Sequence, residues 1–415
     1  MAPIAGEFFN FTYMDIVGRV FNILLYFIPL LFIILGWRLW IRHRNADWIS
    51  TLKWVMIEVK IPRDIYKSPM AMEVALGNAL SQTGGVGTRH KKYWEGRVLV
   101  WFSLEIISNE GDIHFYIRSP KQFRNIIETQ VYAQYPEAEI SEVDDYTIPV
   151  LASMHQEEWS MWGTEFKFTK EEAYPIRTYT DFGLDKSISK AEDAAGLIDP
   201  ITPQIEWMGS MKKDEHIWFQ IIVRASKNSF RSSGIISKEV DWKDRAKAVI
   251  KEIQSKYDST DSLELLGKRL KMSKTEQEAI TAIERSLGKP AFDVGIRAIY
   301  LTKKAAFKPE HIAGLTSMLR QYGSGHLNSF APTNFTDFDN PWDDISGDKK
   351  VEKKREMLHA YVDRGWFYPP HKRPHMVLTS EELATIYHFP GRVSTTPTFK
   401  RIESKKSEPP VNLPV

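Results

Sequence analysis

The sequence contains one apolar run of membrane length, residues 20–41, which reads VFNILLYFIPLLFIILGWRLWI. At about 1.5 Å of rise per residue, a helix of this run spans the roughly 30 Å hydrocarbon core of a bilayer. Arg38, Arg42 and Arg44 lie at its C-terminal end, whereas Arg19 is the only basic residue before it. Cytoplasmic flanks carry the excess of basic residues. The sequence therefore predicts a single-pass protein of the inner (cytoplasmic) membrane, with residues 1–19 outside and the bulk of the chain in the cytoplasm.

A cleaved signal peptide is the competing interpretation of the same run. Signal peptides have shorter apolar cores and end at a small-residue cleavage site, which this sequence does not offer. Trp37 and Trp40 also occupy the place where membrane proteins carry an interfacial aromatic belt. The sequence therefore favours a permanent anchor.

Composition restricts the classes to which the remaining chain can belong. The protein has 415 residues, 26% of them charged, and a net charge of +2, so charge alone does not predict a nucleic-acid partner. It has no cysteine, which excludes disulfides, thiolate metal sites and cysteine nucleophiles. The absence of cysteine is compatible with a reducing compartment.

Residues 50–150 alternate between strand and helix periodicity in an ordered way. A strand pattern at residues 55–61 precedes a helix that begins after Ser68, with Pro69 in its first turn. A predicted hairpin then turns at residues 109–111, and a second amphipathic helix leads to a strand at residues 138–143. The order is βαββαβ. This order predicts a ferredoxin-like module, in which one antiparallel sheet carries two helices on one face.

A similar but less regular sequence of elements follows at residues 160–333. Strand-like patterns occupy residues 165–180, 217–223 and 292–300, and Ser273 with Glu276 forms a predicted capping box at the start of a helix. The sequence therefore predicts an α+β fold: a transmembrane helix, two ferredoxin-like modules of which the second is degenerate, and a loop-rich C-terminal region. The predicted domains are residues 1–19, 20–41, 50–150, 160–333, 334–390 with short helices, and a flexible, Pro-containing linker at 391–415.

The sequence predicts no catalytic residue, no cofactor and no metal site, and hence not an enzyme. A phosphate-binding loop of the G-x-x-x-x-G-K-[ST] type is absent. His371 and His375 have a metal-ligand spacing, but the neighbouring prolines exclude the helix that this spacing requires. The predicted contacts for nucleic acid or lipid are basic residues near the membrane and near a glycine-rich loop, for which a solvated surface is the alternative: Arg42, Arg44, Arg89, Lys91 and Lys92.

Three stretches together resemble a known family: residues 112–140, residues 214–224 and residues 376–390, the last reading MVLTSEELATIYHFP. They are similar to the N-terminal part of membrane-anchored, type IV secretion coupling-protein-like ATPases of the HerA/FtsK class. In that family a transmembrane segment and paired α/β modules precede a motor domain. This sequence ends at Val415, where the motor would begin, so the nucleotide-binding residues of the family have no counterpart in it. Three explanations are open: the motor is a separate polypeptide, the sequence is a fragment, or the protein is a degenerate stand-alone anchor.

The resemblance implies a non-catalytic accessory subunit of a bacterial conjugation-like or type IV secretion system for DNA or protein. Its implied partners are a separately encoded phosphate-loop ATPase, further copies of itself with a hexamer expected only through the family, membrane lipid, and DNA. The residues predicted to contact the ATPase lie in and after the SEELATIYHFP helix: Leu383, Ile386, Tyr387 and Phe389.

The alternative hypothesis is a membrane-tethered module that works without a motor and binds nucleic acid or a peptide on an open sheet face. Trp101, Tyr116 and Trp218 lie on the polar sides of their strands, which would expose them to such a ligand. The competing interpretation is that the second module or another subunit covers these side chains.

Overall fold

The structure is a computed structural model that describes residues 5–61, 67–81, 86–153, 158–185, 198–226, 242–258, 272–338 and 341–390. The helices are α1 (Ala5–Ser50), α2 (Pro69–Ser81), α3 (Arg89–Tyr93), α4 (Arg124–Gln134), α5 (Thr147–Ser153), α6 (Thr202–Gly209), α7 (Trp242–Asp258), α8 (Lys274–Leu287), α9 (Glu310–Ser317), α10 (Asp348–Val362) and α11 (Ser380–Ile386). The strands are β1 (Trp54–Lys60), β2 (Phe102–Asn109), β3 (Asp112–Pro120), β4 (Glu139–Val143), β5 (Trp159–Phe168), β6 (Glu215–Ala225), β7 (Ala291–Lys303), β8 (Phe330–Thr333) and β9 (Met376–Thr379).

The chain divides into two compact units. The first contains residues 1–52 and 84–99, and therefore α1 and α3. Within the described residues, Leu25–Ser50 of α1 is long and apolar enough to cross a membrane, and none of its most apolar stretch is buried by protein. The prediction of an N-terminal apolar helix is thus confirmed.

The second unit, residues 53–83 and 100–415, is built on one antiparallel sheet. Its strands follow the order β4-β1-β3-β2-β6-β7-β5-β8, and β9 pairs with the N-terminal end of β7. Every neighbouring pair is antiparallel. The predicted α+β class with an antiparallel sheet is confirmed.

The two halves of the sheet repeat one arrangement. In β1 to β4 the spatial order is fourth, first, third, second, and β5 to β8 have the same order when counted from the opposite edge. The second strands of the two halves, β2 and β6, pair along their length from Phe102 with Val223 to Asn109 with His216. The halves therefore join edge to edge around an approximate two-fold axis and share a single continuous sheet.

Local sequence explains where the predicted hairpin turns. Glu110 and Gly111 form the two-residue connection between β2 and β3, with φ angles of 55° and 88°. A two-residue loop with positive φ at both positions is a type I′ turn, whose twist matches that of the flanking strands. The hairpin predicted at residues 109–111 is therefore present.

One face of the sheet, which we call the helical face, carries α4 and α11. Phe102 packs edge-on against Phe123, just before α4, and Phe115 packs edge-on against Tyr387 and Phe389, which follow α11. The central strands are buried on both faces. Leu104 and Ile106 are fully buried on the helical face, and Ile107 is fully buried on the opposite face. A sheet this apolar on both sides requires a second covering layer.

The C-terminal segment, residues 341–390, supplies much of that second layer. Met357 and Tyr361 of α10 pack with Ile107, Trp218 and Ile299 on the face opposite to α4, which we call the strap face. The C-terminal segment then pairs β9 with β7 and continues into α11 on the helical face. It thereby contacts both faces and both halves of the sheet.

One sequence interpretation requires correction, and one strand was not predicted. The strand predicted at residues 165–180 ends at Phe168, and the chain from residue 169 to 185 contains no further strand. The region 334–390, predicted as loop-rich with short helices, contains the helices α10 and α11 and also the unpredicted strand β9. Periodicity missed β9 because its four residues acquire strand geometry only by pairing with the overhanging end of β7.

Candidate functional site

A row of polar side chains crosses the strap face of the sheet at one register level. Glu58 faces Tyr116, Tyr116 faces Glu105, and Glu105 faces Gln220 across the junction of the two halves. The row continues from Gln220 to Arg297 on β7 and from Arg297 to Glu165 on β5. A buried polar row is stable only when its groups find hydrogen-bond partners.

Arg364, which follows α10, supplies the main partner for this row. Its guanidinium contacts Glu105 at 3.0 Å from Nε to Oε1 and at 3.3 Å from Nη2 to Oε2. It also contacts Asp145 at 2.5 Å from Nη1 to Oδ2 and at 3.0 Å from Nη2 to Oδ1. The side chains of Arg364 and Glu105 are both 0% exposed. One guanidinium thus joins the C-terminal segment to β2 and to the loop before α5.

Further hydrogen bonds complete the coordination of Glu105. Ser103 donates at 2.5 Å, Tyr146 at 2.6 Å and Gln220 at 3.0 Å to its carboxylate oxygens. The hydroxyls of Tyr146 and Tyr361 lie 2.6 Å apart, which extends the network into α10. The carboxylate is therefore well satisfied although it lies in the protein interior.

The charge of this network follows from the same geometry. Burial alone would raise the pKa of Glu105, but the adjacent Arg364 charge and the hydrogen bonds outweigh burial and hold that pKa below its ordinary value. Burial alone would lower the pKa of Arg364, and the neighbouring carboxylates instead raise it well above its ordinary value. The pair is consequently ionised at neutral pH. With no solvent exposure at either side chain, the pair is suited to locking the C-terminal segment onto the sheet.

Arg297 occupies the same row but is less completely satisfied. Its Nη2 donates to the carbonyl of Gly365 at 2.5 Å, and its guanidinium lies 4.8 Å from the ring centroid of Trp366. Its Nε and Nη1 have no hydrogen-bond partner among the described residues, and burial lowers its pKa to about 10. Trp366 can approach because Gly295 faces it, where a Cβ would lie 2.0 Å from the ring.

A second polar cluster surrounds α11 on the helical face. Glu381 accepts from Thr178 at 2.6 Å and pairs with Arg285 at 3.0 Å, while Glu73 of α2 accepts from Lys289 at 2.6 Å. Glu382 forms a capping box with Thr379 and also accepts from the backbone N–H of Ile176. Burial raises the pKa of Glu382 to about 7, against the effect of these donors. These interactions hold a seven-residue helix in which every residue is buried.

The residues predicted to contact the ATPase lie inside this core. Leu383, Ile386 and Tyr387 are 0% exposed and Phe389 is 2% exposed. Phe389 packs against Tyr135 as well as Phe115. Their role in binding stays a prediction, and a partner reaches these side chains only if α11 leaves the core.

The three aromatic residues that the alternative hypothesis placed on an open sheet face are buried, as the competing interpretation expected. Trp101 is 6%, Tyr116 7% and Trp218 0% exposed. Trp218 stacks on Tyr361 of α10, and Tyr116 stacks on Tyr146. The cover comes from the same chain, because the C-terminal segment and the α5 region fold over the strap face. The aromatic side chains on which the alternative hypothesis of ligand binding to an open sheet was based are therefore buried in the folded chain.

The basic residues predicted to contact nucleic acid or lipid are brought together in the first unit. Arg42 and Arg44 lie near the C-terminal end of α1, and Arg89, Lys91 and Lys92 lie in α3, which packs beside that end. Arg42, Arg89 and Lys92 are exposed. The glycine-rich residues 84 and 85 lie outside the described residues.

His371 and His375 contact different carboxylates. His371 lies 3.1 Å from Asp363, and His375 lies 3.7 Å from Asp293. Of the acidic residues at 337–344, Asp337 pairs with Lys350 at 2.6 Å and Asp344 accepts from the backbone N–H of Lys350 at 2.8 Å. These contacts hold neighbouring segments together.

The polar row was not anticipated from the sequence. Glu105 and Arg364 are 259 residues apart in the sequence. The available signal was a glutamate on β2 flanked by apolar residues, FSLEII, which indicates a buried charge that needs a partner. No local pattern identifies that partner.

The model of a protein family matches most of the chain. The family described as Domain of unknown function (DUF8128) matches residues 93–401, a range that contains β2 to α11 and therefore most of the sheet. A comparison with curated proteins finds no match.

Proposed function

Because this chain belongs to the family Domain of unknown function (DUF8128), whose description gives no activity, we propose its function from its own residues. We propose that it is a non-catalytic, single-pass membrane anchor that docks a HerA/FtsK-like ATPase of a conjugation-like or type IV secretion system. The observation that carries the proposal is a sheet of two similar halves that follows an apolar helix in the sequence. This is the arrangement implied by the resemblance of residues 112–140, 214–224 and 376–390 to coupling-protein-like ATPases.

The strand order supports two ferredoxin-like modules. Each half has four strands in the spatial order fourth, first, third, second, with all neighbours antiparallel. In the first half α2 connects β1 to β2 and α4 connects β3 to β4, as in a βαββαβ unit. In the second half the corresponding connections hold α6 and α9, while α7 and α8 lengthen the connection between β6 and β7.

The contacts of α1 support a permanent anchor. Residues 89–97 pack on the C-terminal part of α1 through Trp37 with Tyr93 and Trp40 with Trp94, at centroid distances of 5.9 and 6.2 Å. A helix that is cleaved off as a signal sequence has no need of tertiary contacts with the mature chain. We therefore assign α1 to the membrane and the second unit to the cytoplasm.

An exposed apolar group at the start of α10 is the surface that we assign to the ATPase. Trp342 is 80%, Ile345 90% and Val351 56% exposed. Single exposed apolar residues are ordinary, but three within ten residues that include tryptophan have the composition of an interaction hot spot. The group is part of the C-terminal segment, which contacts both halves of the sheet through α10 and β9.

Affinity purification of the tagged full-length protein in mild detergent, followed by mass spectrometry, tests the proposal. We expect a phosphate-loop ATPase to be recovered with the wild-type protein in near-stoichiometric amount. Loss of a tryptophan hot spot weakens binding by about 30-fold, so the Trp342→Ser/Ile345→Ser variant should lose the ATPase. Ile148→Ser is the matched control, because Ile148 is 62% exposed on α5.

Two results would contradict the proposal in different ways. Absence of any ATPase with well-folded, abundant wild-type protein would remove the accessory-subunit function. Equal recovery by the Trp342→Ser/Ile345→Ser variant and the Ile148→Ser control would leave that function standing and remove the assigned surface.

A further inference from the structure

Residues 86–97 fold back against the end of the apolar helix. The Arg44 side chain donates from Nε to the carbonyl oxygen of Trp94 at 2.8 Å, and its guanidinium lies 5.8 Å from the ring centroid of Trp40. Together with the aromatic pairs of Trp37 with Tyr93 and Trp40 with Trp94, these contacts join residues 37–44 and 86–97. We call these two stretches the collar.

Gly96 shows that the collar depends on close packing against α1. Its φ angle is +71°, in the left-handed region that favours glycine. A Cβ at this position would lie 2.2 Å from the carbonyl oxygen of Arg44, which is far inside van der Waals contact. Only glycine therefore lets the chain approach the helix this closely.

The aromatic rings of the collar are large, amphipathic and solvent-exposed. Trp37 is 46%, Trp40 41% and Trp94 55% exposed. From Trp37 to Arg44 the helix rises by about 10 Å, which is enough to cross one headgroup layer of roughly 5–8 Å. Tryptophan is favoured at that depth, because its ring is apolar and its N–H needs a polar partner.

The charge of the collar is strongly positive. Its acidic residue is Glu95, which pairs with Arg97 at 2.7 Å. Its seven lysines and arginines are Arg38, Arg42, Arg44, Arg89, Lys91, Lys92 and Arg97. Lysine and arginine close to an anionic membrane surface attract it, with a contribution that decreases within a Debye length of roughly 8–10 Å.

We propose that the collar binds the headgroups of anionic phospholipids and thereby fixes the depth of α1 in the bilayer. The inference rests on the proposed membrane anchoring and adds the lipid class and the residues that select it. Lipid is favoured over nucleic acid because the exposed rings are continuous with exposed apolar side chains of α1, including Leu35 and Leu39 at 50% and 56%. A nucleic acid would leave that apolar surface in water.

The test uses the full-length protein in nanodiscs made from an equimolar mixture of phosphatidylglycerol and phosphatidylcholine. After gentle extraction, native mass spectrometry gives the ratio of the two lipids that remain bound. We expect phosphatidylglycerol to be enriched. Each basic residue near an anionic surface contributes about fivefold in affinity, so the Arg89→Gln/Lys91→Gln/Lys92→Gln variant should reduce the enrichment by at least about tenfold.

A matched control removes the same charge elsewhere. Lys247, Lys251 and Lys256 are exposed on α7 in the second unit, and their replacement by glutamine should leave the enrichment unchanged. A second variant, Gly96→Ala, tests the packing without changing charge and should also reduce the enrichment, because the added methyl displaces residues 86–97 from α1.

The outcomes separate the inference from the proposed anchor. Release of the wild-type protein from membranes by alkaline extraction would remove both. Retention in the membrane with no enrichment of phosphatidylglycerol, or with equal enrichment in the collar variant and the α7 control, would overturn the lipid site alone. Displacement of bound phosphatidylglycerol by a duplex oligonucleotide, with DNA binding lost in the collar variant, would reassign the collar to nucleic acid.

Discussion

Replacing Arg364 by methionine tests the polar network at the junction of the two halves. Methionine keeps an unbranched apolar stem of similar length and removes the guanidinium that contacts Glu105 and Asp145. Asp145 can recover some hydration, because its side chain is 21% exposed. Glu105 cannot, since it is 0% exposed, so the variant leaves one carboxylate buried without its counter-charge.

The expected loss of stability at pH 7 is about 3–5 kcal/mol, which is the usual result of removing one partner from a buried ion pair. In the wild type the pKa of Glu105 lies below its unfolded value. Its ionised form therefore stabilises the fold above the unfolded pKa of about 4.3, and this contribution is lost as the pH falls through the folded pKa.

The variant should reverse this pH dependence. Without Arg364, burial raises the pKa of Glu105 above the unfolded value, so a proton must be bound to keep the fold stable. The deficit relative to wild type should then grow as the pH rises from about 5 to 7. Adding Glu105→Gln to Arg364→Met removes the buried charge and should recover at least about 2 kcal/mol.

Urea unfolding of the full-length protein in detergent measures these differences. Tryptophan fluorescence is a suitable signal, because Trp218 stacks on Tyr361 at 5.3 Å between ring centroids and this contact is lost on unfolding. A deficit below about 1 kcal/mol at pH 7 would refute the reasoning, since it would be far smaller than the cost of a buried unpaired charge. A deficit that is the same at pH 5 and pH 7 would show that Arg364 does not control the ionisation of Glu105.

Three further predictions concern the C-terminal segment. Leu383→Ala should lower the free energy of unfolding by about 2–5 kcal/mol because Leu383 is fully buried, as urea unfolding would show; a neutral effect would mean that α11 is not part of the core. Gly295→Ala should displace Trp366 and shift its fluorescence, since the added methyl would lie 2.0 Å from the ring; an unchanged spectrum would contradict this packing. Because burial raises the pKa of Glu382 to about 7, its ionisation should destabilise the fold as the pH rises from about 5 to 8. Glu382→Gln should flatten that part of the stability profile, and an unchanged profile would exclude the raised pKa.

Much of the fold could be predicted from local signals. The hairpin at residues 109–111 needs only two residues with positive φ, and the helix starting after Ser273 needs only its capping box, which the structure contains. The apolar helix and the strands with alternating apolar and polar residues are likewise predicted from consecutive residues. Patterns of this kind depend on hydrogen bonds and side-chain spacing within one element. They can therefore be recognised without knowledge of the fold.

The candidate site was predicted less well, because its character depends on which segments meet. Leu383 and Phe389 have the composition of an exposed docking helix, yet they are core residues. Trp218 lies on the polar side of its strand, yet α10 covers it. The solvent exposure of a side chain depends on which segments pack against it. Here those segments come from distant parts of the chain.

By itself, the sequence determined the apolar helix, the order of β1 to β4 with α2 and α4 between them, the turn at residues 109–111 and the cap of α8. Only the tertiary structure decided that the two halves share one sheet through β2 and β6, and that Arg364 locks the C-terminal segment over Glu105. The physical reason is the range of the interactions. Turns and caps join atoms a few residues apart. The pairing of β2 with β6 and the burial of Glu105 against Arg364 join residues more than 100 positions apart, and no local sequence pattern indicates such contacts.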